Sequence, residues 1–272
     1  MKTILVPTDF SANAENSARY AAEVASLAKA NLILLHVCSV PVPVADVPVA
    51  MIPIDEVEKQ CTADLETLKK KLADSYPEIG MEAIVKTGFV IEEILLTEEE
   101  MKADLIVMAV TGTGKASDVL GTDTTAIMKK AKSPVLAIPA GVKFAKPEKM
   151  ALACDFTAIV PDAVTDTLKY YIGLFGSKLL VFDVLKPAEL VTYQKAAAEV
   201  NLENSLSNIN HSLYYPAGND LEKETNEFLE RNNAGMLVMI PHNHSFLHRV
   251  FHFSKTKKMT LHTHIPVLSI HE

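Results

Sequence analysis

Short continuous apolar runs alternate with amphipathic segments along the whole chain. The runs at 3–7, 32–37, 82–87, 104–110 and 134–138 carry few polar interruptions, which suits strands covered on both faces. Between them, apolar spacing of helical period predicts helices at 12–29, 54–74, 90–102 and 122–132, with Ser11 as the N-cap of the first. The second half repeats the scheme, with strands predicted at 149–153, 178–184, 211–216, 236–240 and 266–270. Strands joined through helices by right-handed crossovers give a doubly wound parallel sheet. The expected fold is therefore α/β, as two tandem doubly wound five-stranded parallel-sheet domains of Rossmann-like type.

The halves are copies of one another. Ile4-Leu5-Val6-Pro7-Thr8-Asp9-Phe10-Ser11 returns as Met150-Ala151-Leu152-Ala153-Cys154-Asp155-Phe156-Thr157, and Ser133-Pro134-Val135-Leu136-Ala137-Ile138 returns as Ile265-Pro266-Val267-Leu268-Ser269-Ile270. The offset is 155 − 9 = 146 at the aspartates, 184 − 37 = 147 at the second strand and 239 − 108 = 131 at the fourth. About sixteen residues are thus missing from the second copy between those strands, and the Pro/Val-rich stretch Ser39–Pro53 is the expected difference. The domains are read as 1–142 and 148–272, separated where Gly141, Pro147 and the lysines Lys143 and Lys146 interrupt the apolar pattern.

Composition narrows the function classes. A net charge of −8 opposes phosphate-backbone binding, and clusters such as Lys69–Lys71 and Lys255–Lys258 read as solvated helix faces. Cys38, Cys61 and Cys154 are few and far apart, which suggests neither a disulfide framework nor a Cys-rich zinc site. No apolar run approaches the ~20 residues of a membrane span and no signal-peptide pattern opens the chain, so a cytoplasmic location is expected.

In doubly wound sheets the ligand crevice lies at the carboxyl ends of the strands, where the winding direction reverses. That places the candidate site at Pro7–Ser11, Val37–Ser39 and Val110–Thr122. The turn after the first strand holds no glycine, which excludes the Gly-x-Gly-x-x-Gly of nicotinamide dehydrogenases. It holds Asp9 instead, a short acceptor with two open readings: contact with an adenine amino group or ribose hydroxyl, or capping and bracing of the turn. After the fourth strand, Gly112 and Gly114 permit close backbone approach to a phosphate, and Gly121-Thr122 opens a helix whose free N–H groups suit an anion. The stretch is not a Walker A loop, because Ala109 stands at the first Gly position and Ala116 follows Lys115. Asp123 in the first helical turn already satisfies the helix dipole and opposes phosphate there.

These residues together resemble the universal stress protein family, over nearly the whole chain and twice. The resemblance rests on the opening strand ending Val6-Pro7-Thr8-Asp9-Phe10-Ser11, the strand ending His36-Val37, the Asp104–Met108 strand, and the final Ser133–Pro139 segment. It implies an adenine nucleotide α-hydrolase-like fold. In members that bind ATP it implies adenine beside the strand-one Asp and a strand-two Val, with phosphates held by Gly-x2-Gly-x9-Gly-Ser/Thr. Carried across, Pro7, Thr8, Asp9, Val37, Gly112, Gly114, Gly121 and Thr122 are the cofactor-binding candidates. The chain departs from the motif where Thr111 replaces the first Gly and where only six residues, Lys115–Leu120, separate Gly114 from Gly121. The resemblance also implies pairing of the two domains through their last strands, an intrachain pseudo-dimer, with a homodimer of whole chains left open.

The second copy keeps Asp155 and Val184 but replaces the phosphate loop with Pro241-His242-Asn243-His244-Ser245, so no ATP site is expected there. Eight of the nine histidines lie in this half, and His244, His248 and His252 follow i, i+4 spacing. No Cys, Asp or Glu lies in 242–264 to complete a metal site, so zinc is not expected; surface imidazoles or a pH-responsive cluster are the readings. Nothing resembles a catalytic constellation, and the Ser-Gly-Gly-x-Asp-Ser loop of adenylating ligases is absent after the first strand. The expectation is a stress-response binding or regulatory protein, not an enzyme beyond weak incidental ATPase. It would take ATP or another adenine nucleotide in the first domain only. The alternatives are an enzyme of the α-hydrolase-like class and a structural protein with both sites decayed.

Overall fold

The computed structural model describes residues 1–38, 54–110, 122–154, 156, 159–185, 193–241 and 264–271. The candidate glycines Gly112, Gly114 and Gly121, the second-copy Asp155, and His244, His248 and His252 lie outside the described residues, as does the Ser39–Pro53 stretch. The chain divides into two compact units, one holding Met1–Ala109 and Thr122–Ser133, the other continuing from Pro134.

In the first unit the elements run β1 (Thr3–Pro7), α1 (Ala12–Ala28), β2 (Asn31–Cys38), α2 (Ile54–Ser75), β3 (Met81–Thr87), α3 (Val90–Glu100), β4 (Leu105–Ala109) and α4 (Thr122–Lys130). Strand order is β3-β2-β1-β4. The pairs β1–β2, β1–β4 and β2–β3 are parallel, in register Ile4↔Leu32, Ile4↔Leu105 and Leu32↔Met81. Ile4, Leu5, Val6, Leu32, Leu34, Leu35, Leu105 and Ile106 are shut off from solvent, as apolar strand residues covered on both faces should be. The edge strand β3 is only half-buried along its length. Helix α1 lies close on the sheet because its inner face is small: Ala14, Ala18, Ala21, Ala22 and Ala25 are buried. Ser11 caps it as expected, its hydroxyl accepting from Ala14 N, and Lys29 closes it in the left-handed conformation.

The second unit contains β5 (Val135–Ile138), β6 (Lys149–Ala153), α5 (Asp162–Phe175), β7 (Lys178–Phe182), α6 (Tyr193–Ser205), β8 (His211–Tyr214), α7 (Leu221–Asn232), β9 (Met236–Met239) and β10 (Val267–Ser269). Its strand order is β5-β10-β9-β6-β7-β8. All neighbours are parallel except β5 and β10, which pair antiparallel through Leu136↔Leu268. The expected pairing of the two last strands is thus present, and β5 belongs to the same compact unit as the second repeat.

One expectation is corrected. The register gives offsets of 179 − 32 = 147 at the second strands and 211 − 81 = 130 at the third, so seventeen residues are lost between them. Nine of the seventeen come from the helix, since α2 has 22 residues and α6 has 13. The difference is therefore not confined to the Pro/Val-rich stretch: the helix behind the second strand has lost more than two turns.

Candidate functional site

The site is built at the point where the strand order reverses. From β1 the chain goes to β2 on one side, while β4 pairs on the other. The carboxyl ends of β1 and β4 therefore flank the crevice that doubly wound sheets use for ligands.

The β1 turn is over-determined by hydrogen bonds. Thr8 N donates to Leu35 O at 2.8 Å, extending the β1–β2 ladder one residue past Pro7. The buried Thr8 hydroxyl accepts from Phe10 N at 3.1 Å. Asp9 Oδ1 accepts from Ser11 N at 3.0 Å. These contacts hold Phe10 at φ 62°, left-handed backbone that costs a non-glycine residue about 1–2 kcal/mol. The equivalent Phe156 sits at φ 49°, so both repeats carry the same strained corner. Of the two readings of Asp9, bracing the turn is real. Asp9 is nonetheless exposed, and its Oδ2 accepts no bond among the described residues.

Beyond the last β1–β2 pair, Pro7↔Leu35, strand β2 continues through His36, Val37 and Cys38. Val37 therefore stands half-buried at the crevice end of β2, two residues beyond the register partner of Pro7. His36 is held from two sides. Its Nδ1 lies 2.8 Å from Thr8 O, and its ring stacks on Phe10 with centroids 4.3 Å apart. A carbonyl only accepts, so the proton in this bond is on Nδ1. On the other side of the crevice, Thr122 opens α4, and the buried Thr124 hydroxyl donates to Ala109 O at 3.0 Å, fixing the first turn of α4 to the end of β4. Asp123 is exposed in that turn, where its charge meets the helix dipole.

Sequence reasoning missed a cluster beside this turn. A ring nitrogen of His36 and the Sγ atoms of Cys38 and Cys61 lie within 4.8 Å of one another. Cys38 is buried at the end of β2 and Cys61 comes from α2, 23 positions later, so only the tertiary fold unites them. The available signal was His36-x-Cys38, which puts both side chains on one strand face. Burial, the Cys61 thiol and the Glu58 carboxylate push the Cys38 thiol up to about 12.

The second repeat keeps the backbone scheme and changes the chemistry. Cys154 N donates to Phe182 O at 3.0 Å, as Thr8 N does to Leu35 O. The position equivalent to His36, 36 + 147 = 183 by the second-strand offset, is Asp183. Asp183 is buried and pairs with Lys195 of α6 at 3.0 Å. Val184 is buried behind it. Among the described histidines of this half, His211 is bound through Nδ1 to Ile209 O at 2.9 Å, and His264 is exposed.

Comparison with known proteins places this geometry. The universal stress protein family profile matches residues 1–139. A universal stress protein of Methanocaldococcus jannaschii is 29% identical over 156 residues, covering 50% of this chain and 94% of that protein. The crystal structure of a universal stress protein from Archaeoglobus fulgidus matches the fold over 99% of this chain and 96% of that one, with a TM-score of 0.72 at 18% identity. A functionally unknown protein from Pseudomonas aeruginosa matches 100% of this chain and 92% of its own at 13% identity, with a TM-score of 0.63. The full-length matches carry the fold of both repeats and the profile carries the family of the first: the chain belongs to the universal stress protein family.

Proposed function

We propose that this protein is a cytoplasmic regulatory binding protein, not an enzyme, and that it takes ATP or another adenine nucleotide at the carboxyl ends of β1, β2 and β4 in its first repeat only. The observation that carries this reading is Asp9. It stands exposed at the strand-order reversal, with Oδ1 spent on the turn and Oδ2 available to a ligand hydroxyl or amino group. Val37 offers an apolar surface and backbone groups beside Asp9 for a planar base. Thr122 opens the helix that would face the phosphates, while Asp123 weakens its grip on them. In the second repeat, a buried ion pair fills the equivalent strand-two end, which supports a role in keeping fold and pairing without a nucleotide. Among the described residues no helix is long and apolar enough to cross a membrane.

Calorimetry on the full chain, purified without nucleotide, tests the reading. One ATP binds per chain, and Asp9→Asn weakens binding by about tenfold or more while keeping an oxygen for Ser11 N. Asp123→Asn strengthens ATP binding by removing the opposing charge. Failure of ATP, ADP and AMP all to bind at millimolar concentration refutes the proposal.

A further inference from the structure

We propose that His36, Cys38 and Cys61 form a binding site for a thiophilic metal ion of the zinc class, on the face of β2 opposite Val37 and independent of nucleotide. The donor set is two thiols and one imidazole, with every ligand atom within 4.8 Å of the others. A tetrahedral ion holding sulfur at ~2.3 Å and nitrogen at ~2.0 Å spaces its ligands about 3.3–3.8 Å apart. Closing the difference takes about 1 Å, within reach of side-chain rotation in Cys61, which is only half-buried.

Three features show a prepared site. The Thr8 carbonyl at 2.8 Å holds Nδ1 and leaves Nε2 as the nitrogen for a metal, the outer-shell arrangement that orients metal-binding imidazoles. The Phe10 ring stacked on His36 holds the plane of the imidazole. Glu58, one helical turn before Cys61, brings a carboxylate to the end of β3, where it accepts from Thr87 Oγ1 at 2.5 Å. Thr87 is the register partner of Cys38, so that carboxylate lies at the margin of the cluster, outside its three ligand atoms, leaving the fourth position to a water.

Binding is acid–base chemistry alone. Each S–H bond breaks, each proton leaves to solvent, and a sulfur lone pair goes to the ion, so binding releases two protons per metal. A cation suits this pair better than a disulfide does. Burial disfavours a lone thiolate, the species that thiol–disulfide exchange requires, whereas a bound dication stabilises both thiolates. Two thiolates with an imidazole select zinc-class or cuprous ions over magnesium and calcium. The second repeat lacks the set, since Asp183 and Leu185 occupy the positions of His36 and Cys38.

The test is a titration of the reduced, chelator-treated full chain with Co2+, followed by displacement with Zn2+. One Co2+ per chain is expected, with a sulfur-to-cobalt charge-transfer band and the visible bands of tetrahedral cobalt, both bleached by Zn2+. Cys61→Ser, at a half-buried position, should weaken binding at least tenfold and diminish the charge-transfer band. A variant with His244, His248 and His252 all changed to Ala should titrate like the wild type. The proposal is overturned if the reduced protein gives no charge-transfer band, if Cys61→Ser binds as the wild type does, or if the histidine variant loses the signal. Formation of a Cys38–Cys61 disulfide by a protein that binds neither ion when reduced would likewise overturn it, in favour of a redox pair.

Discussion

The Asp183–Lys195 pair makes the sharpest stability prediction. Nζ and Oδ2 are 3.0 Å apart, and the side chains are 13% exposed for Lys195 and 4% for Asp183. Removing one member of a buried pair strands the other charge and costs about 3–5 kcal/mol, while replacing both with apolar groups is often neutral. The two single variants should differ, because the exposures differ. Lys195→Met leaves a carboxylate with almost no access to water, and a loss of about 3 kcal/mol is expected. Asp183→Val leaves an ammonium on a flexible stem that already touches solvent, and about 1–2 kcal/mol is expected. The double variant should return to within about 1 kcal/mol of the wild type, giving a coupling energy of about 3–5 kcal/mol. Urea unfolding followed by tyrosine fluorescence reads this directly, since five of the seven tyrosines, Tyr170, Tyr171, Tyr193, Tyr214 and Tyr215, lie in the second unit and there is no Trp. Additive losses, or a Lys195→Met variant within about 0.5 kcal/mol of the wild type, would show that water already screens the pair.

Two further outcomes follow from the first unit. Glu98 is buried on α3, and its Oε1 accepts from Lys132 N at 2.8 Å and Ser133 N at 2.5 Å, tying α3 to the end of α4. Glu98→Ala should cost about 2–3 kcal/mol and Glu98→Gln, which keeps an acceptor, about 1 kcal/mol, measured by urea unfolding; equal losses would contradict the acceptor role. Glu15 is bonded by Lys71 and Arg19, and these two cations hold its carboxyl below the usual 4.5. A depressed carboxylate contributes stability above its unfolded pKa and loses it as pH falls through the folded value, so the contribution should fade below pH ~4.5. The contacts are partly exposed, so screening keeps the effect under about 1 kcal/mol. Glu15→Gln should shrink the acid-side slope of stability against pH, and added salt should do the same to the wild type.

The strands were legible because their signal is local. Runs such as Ile4–Val6 and Leu105–Met108 need only hydrophobicity and length to be read, and the repeat made each run confirm its copy. The Ser11 cap was legible for the same reason, since its partner lies three residues away. Partition of the seventeen-residue loss was not, because a polar helix such as α6 and a loop look alike by composition alone. Cys38 and Cys61 are unrelated by sequence spacing because their approach depends on how α2 packs against β2, an outcome that no spacing rule encodes. Asp183 and Lys195 were missed similarly: a buried carboxylate at a strand end has no sequence signature until its cation is placed.

The two repeats show why such folds diverge at their sites before their sheets. At the strand-two end, both keep the ladder that carries the turn, with Thr8 N on Leu35 O and Cys154 N on Phe182 O, and both keep a phenylalanine in left-handed backbone. Those features are backbone bonds and strain, indifferent to which side chain occupies the next position. The first repeat puts there an imidazole oriented by a carbonyl, beside two thiols that a longer α2 helps to present. The second puts there a carboxylate whose charge is met from within by Lys195 of the shortened α6. An internal cation of this kind satisfies the strand end without a ligand. Breaking that pair to free Asp183 would cost several kcal/mol. Helix length behind the second strand and the residue at that strand's end both differ between the repeats. In the second repeat that strand-end charge is met from within the chain.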